Sequence, residues 1–196
     1  MNEDNKTALL LLDLQNEMIH PDGKIGSGGL ARIAQERGVL ENAGRALKAA
    51  RNRELPVAHI RLGFRPDYID ALSVAPRIDR LKASGAALVG SWGCEFPESL
   101  APGQGELIVT KQGVNPFFNT GLLSWLHKNR ISHLVFGGVA TNLVVESTAR
   151  AADDAGFAIS VLEDCCASPK AEWHDFSIKN ILPLFGKISS SAEFAS

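Results

Sequence analysis

The chain has little cysteine: three residues in 196, two of them adjacent at Cys165 and Cys166. Neighbouring thiols seldom bridge, so no disulfide scaffold is expected and reduced thiols in a cytoplasmic protein are. The spacings CxxC and HExxH are absent, which removes the simplest redox and zinc motifs. No sign of charge dominates. Twenty Lys and Arg against 22 Asp and Glu leave a net charge of −2, with no basic block suited to nucleic acid or an anionic membrane. Long apolar runs are missing as well: residues 8–12 fall far short of the roughly 20 needed to span a bilayer. The start at residues 1–6 is polar and acidic, without a visible export signal. Repeats, heptads and low-complexity stretches are absent. What is present is 45% hydrophobic residues in a length that suits one compact domain over 1–196. A small-molecule substrate is the expected partner, with no nucleic acid and no membrane.

The apolar pattern predicts alternating strands and helices. Residues 7–13 form a nearly continuous apolar run ending in an acid, as a strand buried on both faces of a parallel sheet does. A helix is predicted over 30–53 and a strand over 57–60, opened by Pro56. A Pro- and Gly-containing stretch from about 85 to 105 reads as a long connection. Beyond it come a strand over 106–111, a helix over 121–128 and a strand over 133–136 that runs into Gly137-Gly138. A helix over 142–154, a strand over 158–162, a helix over 171–182 and a strand over 187–189 complete the series. About six strands alternating with helices predict a three-layer α/β sandwich around a central, mostly parallel sheet. In such sheets ligands gather beyond the carboxyl ends of the strands, where the strand order reverses.

Asp13, Lys111 and the run Gly137-Gly138-Val139-Ala140-Thr141-Asn142 all end strands and are expected to face one cleft. A carboxylate beside a lysine in a partly desolvated pocket can transfer protons. The same residue types also fit a turn-capping Asp13 and a solvated Lys111. The loop before the 142–154 helix offers backbone N–H groups to an anion. It fits equally a tight turn capped by Thr141 or Asn142.

These residues belong to a longer pattern that resembles the isochorismatase-like superfamily over nearly the whole chain. The matching pieces are Leu-Leu-Leu-Asp-Leu-Gln-Asn ending the first strand, Gly-Ser-Trp-Gly-Cys-Glu-Phe at 90–96 and Leu-Ala-Pro-Gly-Gln-Gly-Glu at 100–106. With them go Lys111 followed by Asn-Pro-Phe-Phe-Asn-Thr, Gly-Gly-Val-Ala-Thr-Asn-Leu-Val-Val-Glu-Ser-Thr-Ala-Arg at 137–150, and Leu-Glu-Asp-Cys-Cys-Ala-Ser at 162–168. Their order and spacing together are specific. The resemblance implies that Asp13 is the catalytic acid/base, Lys111 its neighbour, and the Val139–Ala140 bond a non-proline cis peptide. It implies substrate or oxyanion contacts at Val139, Ala140, Thr141 and Leu143. It also implies a homo-oligomer, a dimer or a tetramer. Arg61, Phe118 and Trp92 are expected in the pocket wall by position, and so is Phe64.

In the amidohydrolase branch of that superfamily the nucleophilic cysteine falls six residues after Gly138, at the position of Val144. An isopropyl group cannot form an acyl-enzyme. The isochorismatase branch lacks that cysteine, and resemblance to it implies an aspartic acid that protonates a vinyl ether before water completes the cleavage. Some relatives carry a metal on an Asp-x-His motif, but this chain reads His59-Ile-Arg61, so no metal and no other cofactor is expected. His59 is a core or strand-end residue or a substrate contact. The leading expectation is a metal-independent hydrolase of a small polar or carboxylated molecule, using Asp13 and Lys111. An amidohydrolase whose cysteine became Val144, or a binding protein that lost its chemistry, are the alternatives.

Overall fold

The structure, a computed structural model, describes residues 6–196; residues 1–5, the start read as lacking an export signal, lie outside it. The first strand, β1 (Lys6–Leu12), is followed by a short helix α1 (Asn16–Ile19), then α2 (Leu30–Glu36) and α3 (Val39–Asn52). Strand β2 (Val57–Leu62), helix α4 (Pro76–Ser84) and β3 (Leu107–Lys111) come next. The second half runs α5 (Leu122–Lys128), β4 (Ile131–Gly138), α6 (Glu146–Asp154), β5 (Ala158–Leu162), α7 (Ala171–Phe176), β6 (Lys187–Ser189) and α8 (Ser191–Ala195).

The strands form one sheet in the order β3-β2-β1-β4-β5-β6, and every neighbouring pair is parallel. Such a sheet is covered on both faces, which explains the unbroken apolar run of β1. Leu9 and Leu11 pack with Ala43, Ala46 and Leu47 of α3 on one face. Leu10 and Leu12 pack with Leu122 and Leu126 of α5 and Ala149 of α6 on the other. Order reverses between β1 and β4. Their register pairs Leu12 with Gly138, so Asp13 and the 139–145 loop leave the sheet side by side at this switch point.

Three predicted helices differ in detail. The 30–53 helix is two helices, because Gly38 adopts φ 64 and breaks it where glycine carries no Cβ penalty. The 142–154 helix opens with a wide π turn over Thr141–Val145 before α6 begins. The 171–182 helix is regular only through Phe176 and continues as a π turn over Ser177–Ile181. Helices α1, α4 and α8 were not expected. Two are only four and five residues long, and α4 lies in the stretch that offered no clear periodicity. Among the described residues no helix is long and apolar enough to cross a membrane.

Candidate active site

Beyond the switch point lies a cavity of about 700 Å³ whose floor is formed by Asp13, Lys111, Val139, Ala140 and Val144. Asp13 follows β1 with φ 56 and donates its N–H to the Ile60 carbonyl at 2.9 Å. Lys111 reaches it from the far edge of the sheet. Its Nζ donates to Asp13 Oδ2 at 2.7 Å and to the Gly113 carbonyl at 3.0 Å, and both side chains of the pair are 1% exposed. The second carboxylate oxygen, Oδ1, is buried without a partner among the described residues. Burial pushes the Asp13 carboxyl above its ordinary value, against the opposing pull of the lysine charge and hydrogen bond. The result is a carboxyl that can hold a proton and has one oxygen free to deliver it.

The side chains after Asp13 anchor this turn. Gln15 Nε2 donates to the Leu62 and Gly93 carbonyls, while its Oε1 accepts from the Leu62 N–H at 2.7 Å. Asn16 Nδ2 holds the Trp92 carbonyl, and the buried Glu17 accepts from the N–H groups of Lys24 and Ala87. Gln15 and Asn16 lie inside the quoted strand-end motif, yet their scaffolding role was not visible there, because their partners come from 47 or more positions away.

The loop after β4 approaches β1 closely. A Cβ on Gly138, at φ +152, would meet the Leu12 carbonyl oxygen at 2.0 Å, and one on Gly137 would meet Cys165 Cβ at 2.5 Å. The Val139–Ala140 peptide bond is cis. Most loop amides are already engaged. Thr141 donates to the Ala167 carbonyl, Asn142 to Ser168 Oγ, and Leu143, Val144 and Val145 all to the Ala140 carbonyl. Among the described residues Ala140 alone in this run has an N–H without an acceptor, and Ala140 lines the cavity. The expectation of several anion-binding amides is corrected to this single one, because Ala167, Ser168 and the opening turn of the helix satisfy the rest.

Other expected site residues are placed differently. Val139, Ala140, Leu143 and Val144 line the cavity with Asp13 and Lys111. Thr141 is fully buried behind the loop, with Oγ1 2.8 Å from His174 Nδ1, so it holds the loop rather than facing the cavity. Arg61 turns away, donating to Thr110 Oγ1 and to the Cys94 carbonyl. Trp92 packs edge-on against His20 at 4.9 Å, and Phe118 is 73% exposed outside the lining. Phe64 is a fully buried core residue. For these four, position in the chain did not determine which way the side chain projects. His59 is a core residue outside the cavity lining, its Nε2 2.8 Å from Glu106 Oε2.

The three thiols are buried outside the cavity lining. Burial pushes Cys94 up to about 11 and Cys166 up to about 12, and raises Cys165 as well. None is a thiolate at neutral pH. Among the described residues no three of His, Cys, Asp and Glu come together to hold a metal.

A match to the Isochorismatase domain covers residues 7–193. The chain belongs to the isochorismatase family. The ureidoacrylate amidohydrolase RutB of Acinetobacter baylyi is 30% identical over 96% of this chain and 82% of its own length. The isochorismatase family protein YecD of Escherichia coli O157:H7 is 31% identical over 95% of this chain and 93% of its own. Among solved structures, an isochorismatase family protein of Burkholderia thailandensis superposes with a TM-score of 0.79 at 27% identity, covering 97% and 94% of the two chains. The six-stranded parallel sheet clad in helices is the architecture of this family.

Proposed function

We propose that this isochorismatase-family hydrolase acts on a small polar or carboxylated molecule, with Asp13 as the proton-transfer group, Lys111 as its charge partner and no thiolate at position 144. The observation that carries the reading is the buried 2.7 Å pair that lines the cavity, with one carboxylate oxygen of Asp13 left unpartnered among the described residues. In the acid form, held by burial, Asp13 donates its proton to the departing group or, for a vinyl ether, to the substrate carbon. Water then adds to the electron-poor carbon and returns a proton to the carboxylate. Lys111 keeps the ionised form accessible, so the pair can cycle. The Ala140 N–H is available to an oxygen that gains negative charge.

A second reading, C–N hydrolysis, is favoured by the similarity to a ureidoacrylate amidohydrolase. In it Val144, 5% exposed on the cavity wall, replaces a cysteine nucleophile. The experiment is to screen small amides, ureides and vinyl ethers with the parent, Asp13→Asn and Val144→Cys. The leading reading expects turnover by the parent and none by Asp13→Asn. The second expects an acyl-enzyme by mass spectrometry only in Val144→Cys. Binding without product in all three would mark a protein that kept the pocket and lost the chemistry.

One domain in the cytoplasm remains part of this proposal, supported for the compartment by three free thiols. So does a homo-oligomer. Ile69, Leu72, Val74 and Phe118 are 70–96% exposed, an apolar surface of the kind copies bury on association, and light scattering would read the subunit number.

A further inference from the structure

The cavity has a charge pattern that the acid–base pair does not use. Its lining carries four cations, Lys24, Arg77, Arg80 and Lys111, against the single carboxyl of Asp13, in a chain whose net charge is −2. Lys111 is committed to Asp13, and Lys24 Nζ donates to the Gly85 carbonyl at 2.7 Å. Arg77 and Arg80 differ. They sit three residues apart on α4, hence on one helical face, and among the described residues neither side chain has an ion pair or hydrogen bond. Nearby acids do not serve them. Glu17 is engaged by the N–H groups of Lys24 and Ala87, and Asp79, between the arginines in sequence, is absent from the lining. The remainder of the wall is largely apolar, including Met18, Ile25, Leu30, Leu81 and Val114.

We propose that Arg77 and Arg80 clamp an anionic group of the substrate, a carboxylate held by two guanidinium forks while an apolar middle fills the cavity and the reacting bond lies at Asp13. This rests on the proposed catalytic site and narrows its substrate class from polar or carboxylated to anionic. Two arginines with unpaired guanidinium groups in the lining of one cavity are suited to a planar carboxylate, which accepts paired hydrogen bonds from arginine. Their reach is electrostatic as well as local, so the clamp also favours entry of anions at low salt.

The test is calorimetric binding of matched acids and amides, benzoate with benzamide and succinate with succinamide, to the parent and to the double variant Arg77→Gln/Arg80→Gln. The parent is expected to prefer a carboxylate over its amide by about tenfold or more in at least one pair. That preference should collapse toward unity in the double variant. Amide affinity and melting temperature stay unchanged there, which shows that the fold is intact. No preference in either pair, or a preference that survives the double substitution, overturns the clamp. The same titrations in Asp13→Asn separate the two ideas: a retained preference with no catalytic role for Asp13 leaves the clamp standing and removes only the acid–base reading.

Discussion

Lys111 Nζ and Asp13 Oδ2 lie 2.7 Å apart and almost fully buried, although 98 positions separate them in the chain. Breaking either side of such a pair strands the other charge in a dry site. The pH behaviour follows from the opposing effects on Asp13. Burial raises its pKa and Lys111 lowers it, with burial the larger. If the acid form acts first, kcat should fall as pH rises through a limb above the ordinary carboxyl value of 3.8. Lys111→Met removes the lowering influence, so the limb should move to higher pH, alongside a loss of kcat on the order of a hundredfold. A pH–rate profile of both proteins reads this directly. A limb that stays in place would show that the ammonium does not set the acid's affinity for its proton.

Gly138 allows the loop to pass beside Asp13. An alanine there would need φ +152 and would place its Cβ 2.0 Å from the Leu12 carbonyl oxygen, so the backbone of β1 or of the loop must shift. Gly138→Ala is expected to cost upward of about 2 kcal/mol in urea unfolding and to abolish turnover. Near-parent stability and activity would mean that the close approach is not required.

The strand pattern was legible because a parallel sheet buried on both faces forces continuous apolar runs, as in Leu9 to Leu12, and right-handed connections do the rest. The place of Asp13, Lys111 and the glycine loop was legible for the same reason. What could not be read was side-chain direction. Arg61 near the end of β2 and Trp92 and Phe118 in the connections were expected in the wall, yet hydrogen bonds to Thr110 and Cys94, a ring contact with His20 and plain exposure place them elsewhere. The arginines of α4 gave no signal at all, since a nine-residue helix with one buried residue, Ile78, has almost no apolar period.

Away from the cavity, Glu106 ties β2 and α3 to the start of β3. It accepts from Arg51 twice, from the Gly103 N–H at 2.6 Å, and meets the buried His59. The hydrogen bonds from Arg51, ahead of all other influences, pull its pKa from 4.5 down to about 2. A depressed folded pKa gives stability that is present above 4.5 and is lost as pH falls from there toward about 2. Glu106→Gln should therefore destabilise the protein by about 1–3 kcal/mol at pH 7, and the gap to the parent should narrow as pH drops below 4.5. Urea titrations at pH 7, 5 and 3.5 would test it; a gap that does not change with pH would assign the effect to packing.

His174 supports the loop from behind. Its Nδ1 lies 2.8 Å from Thr141 Oγ1, and its Nε2 faces Glu163 Oε2 at 3.5 Å, the same oxygen that accepts from Arg37 at 2.7 Å. A neutral ring with its hydrogen on Nε2 satisfies both neighbours, and burial, assisted by the Arg37 charge, pushes the pKa below 6.5. The unfolded chain then binds the proton more readily. Stability from this site is full above 6.5 and declines as pH falls through the interval below it. His59 and His133 are lowered by burial in the same way, so the parent's acid loss is a sum over several rings. His174→Asn keeps a group able to bond Thr141 while removing one titration, so its stability should fall less than the parent's between pH 7.5 and 5.5. His174→Ala also loses the Thr141 bond, and about 1–3 kcal/mol with it at pH 7.5. If the loop positions the Ala140 N–H, kcat should drop in His174→Ala and recover in His174→Asn at neutral pH. Equal activity in the two would show that His174 supports the fold without positioning the site.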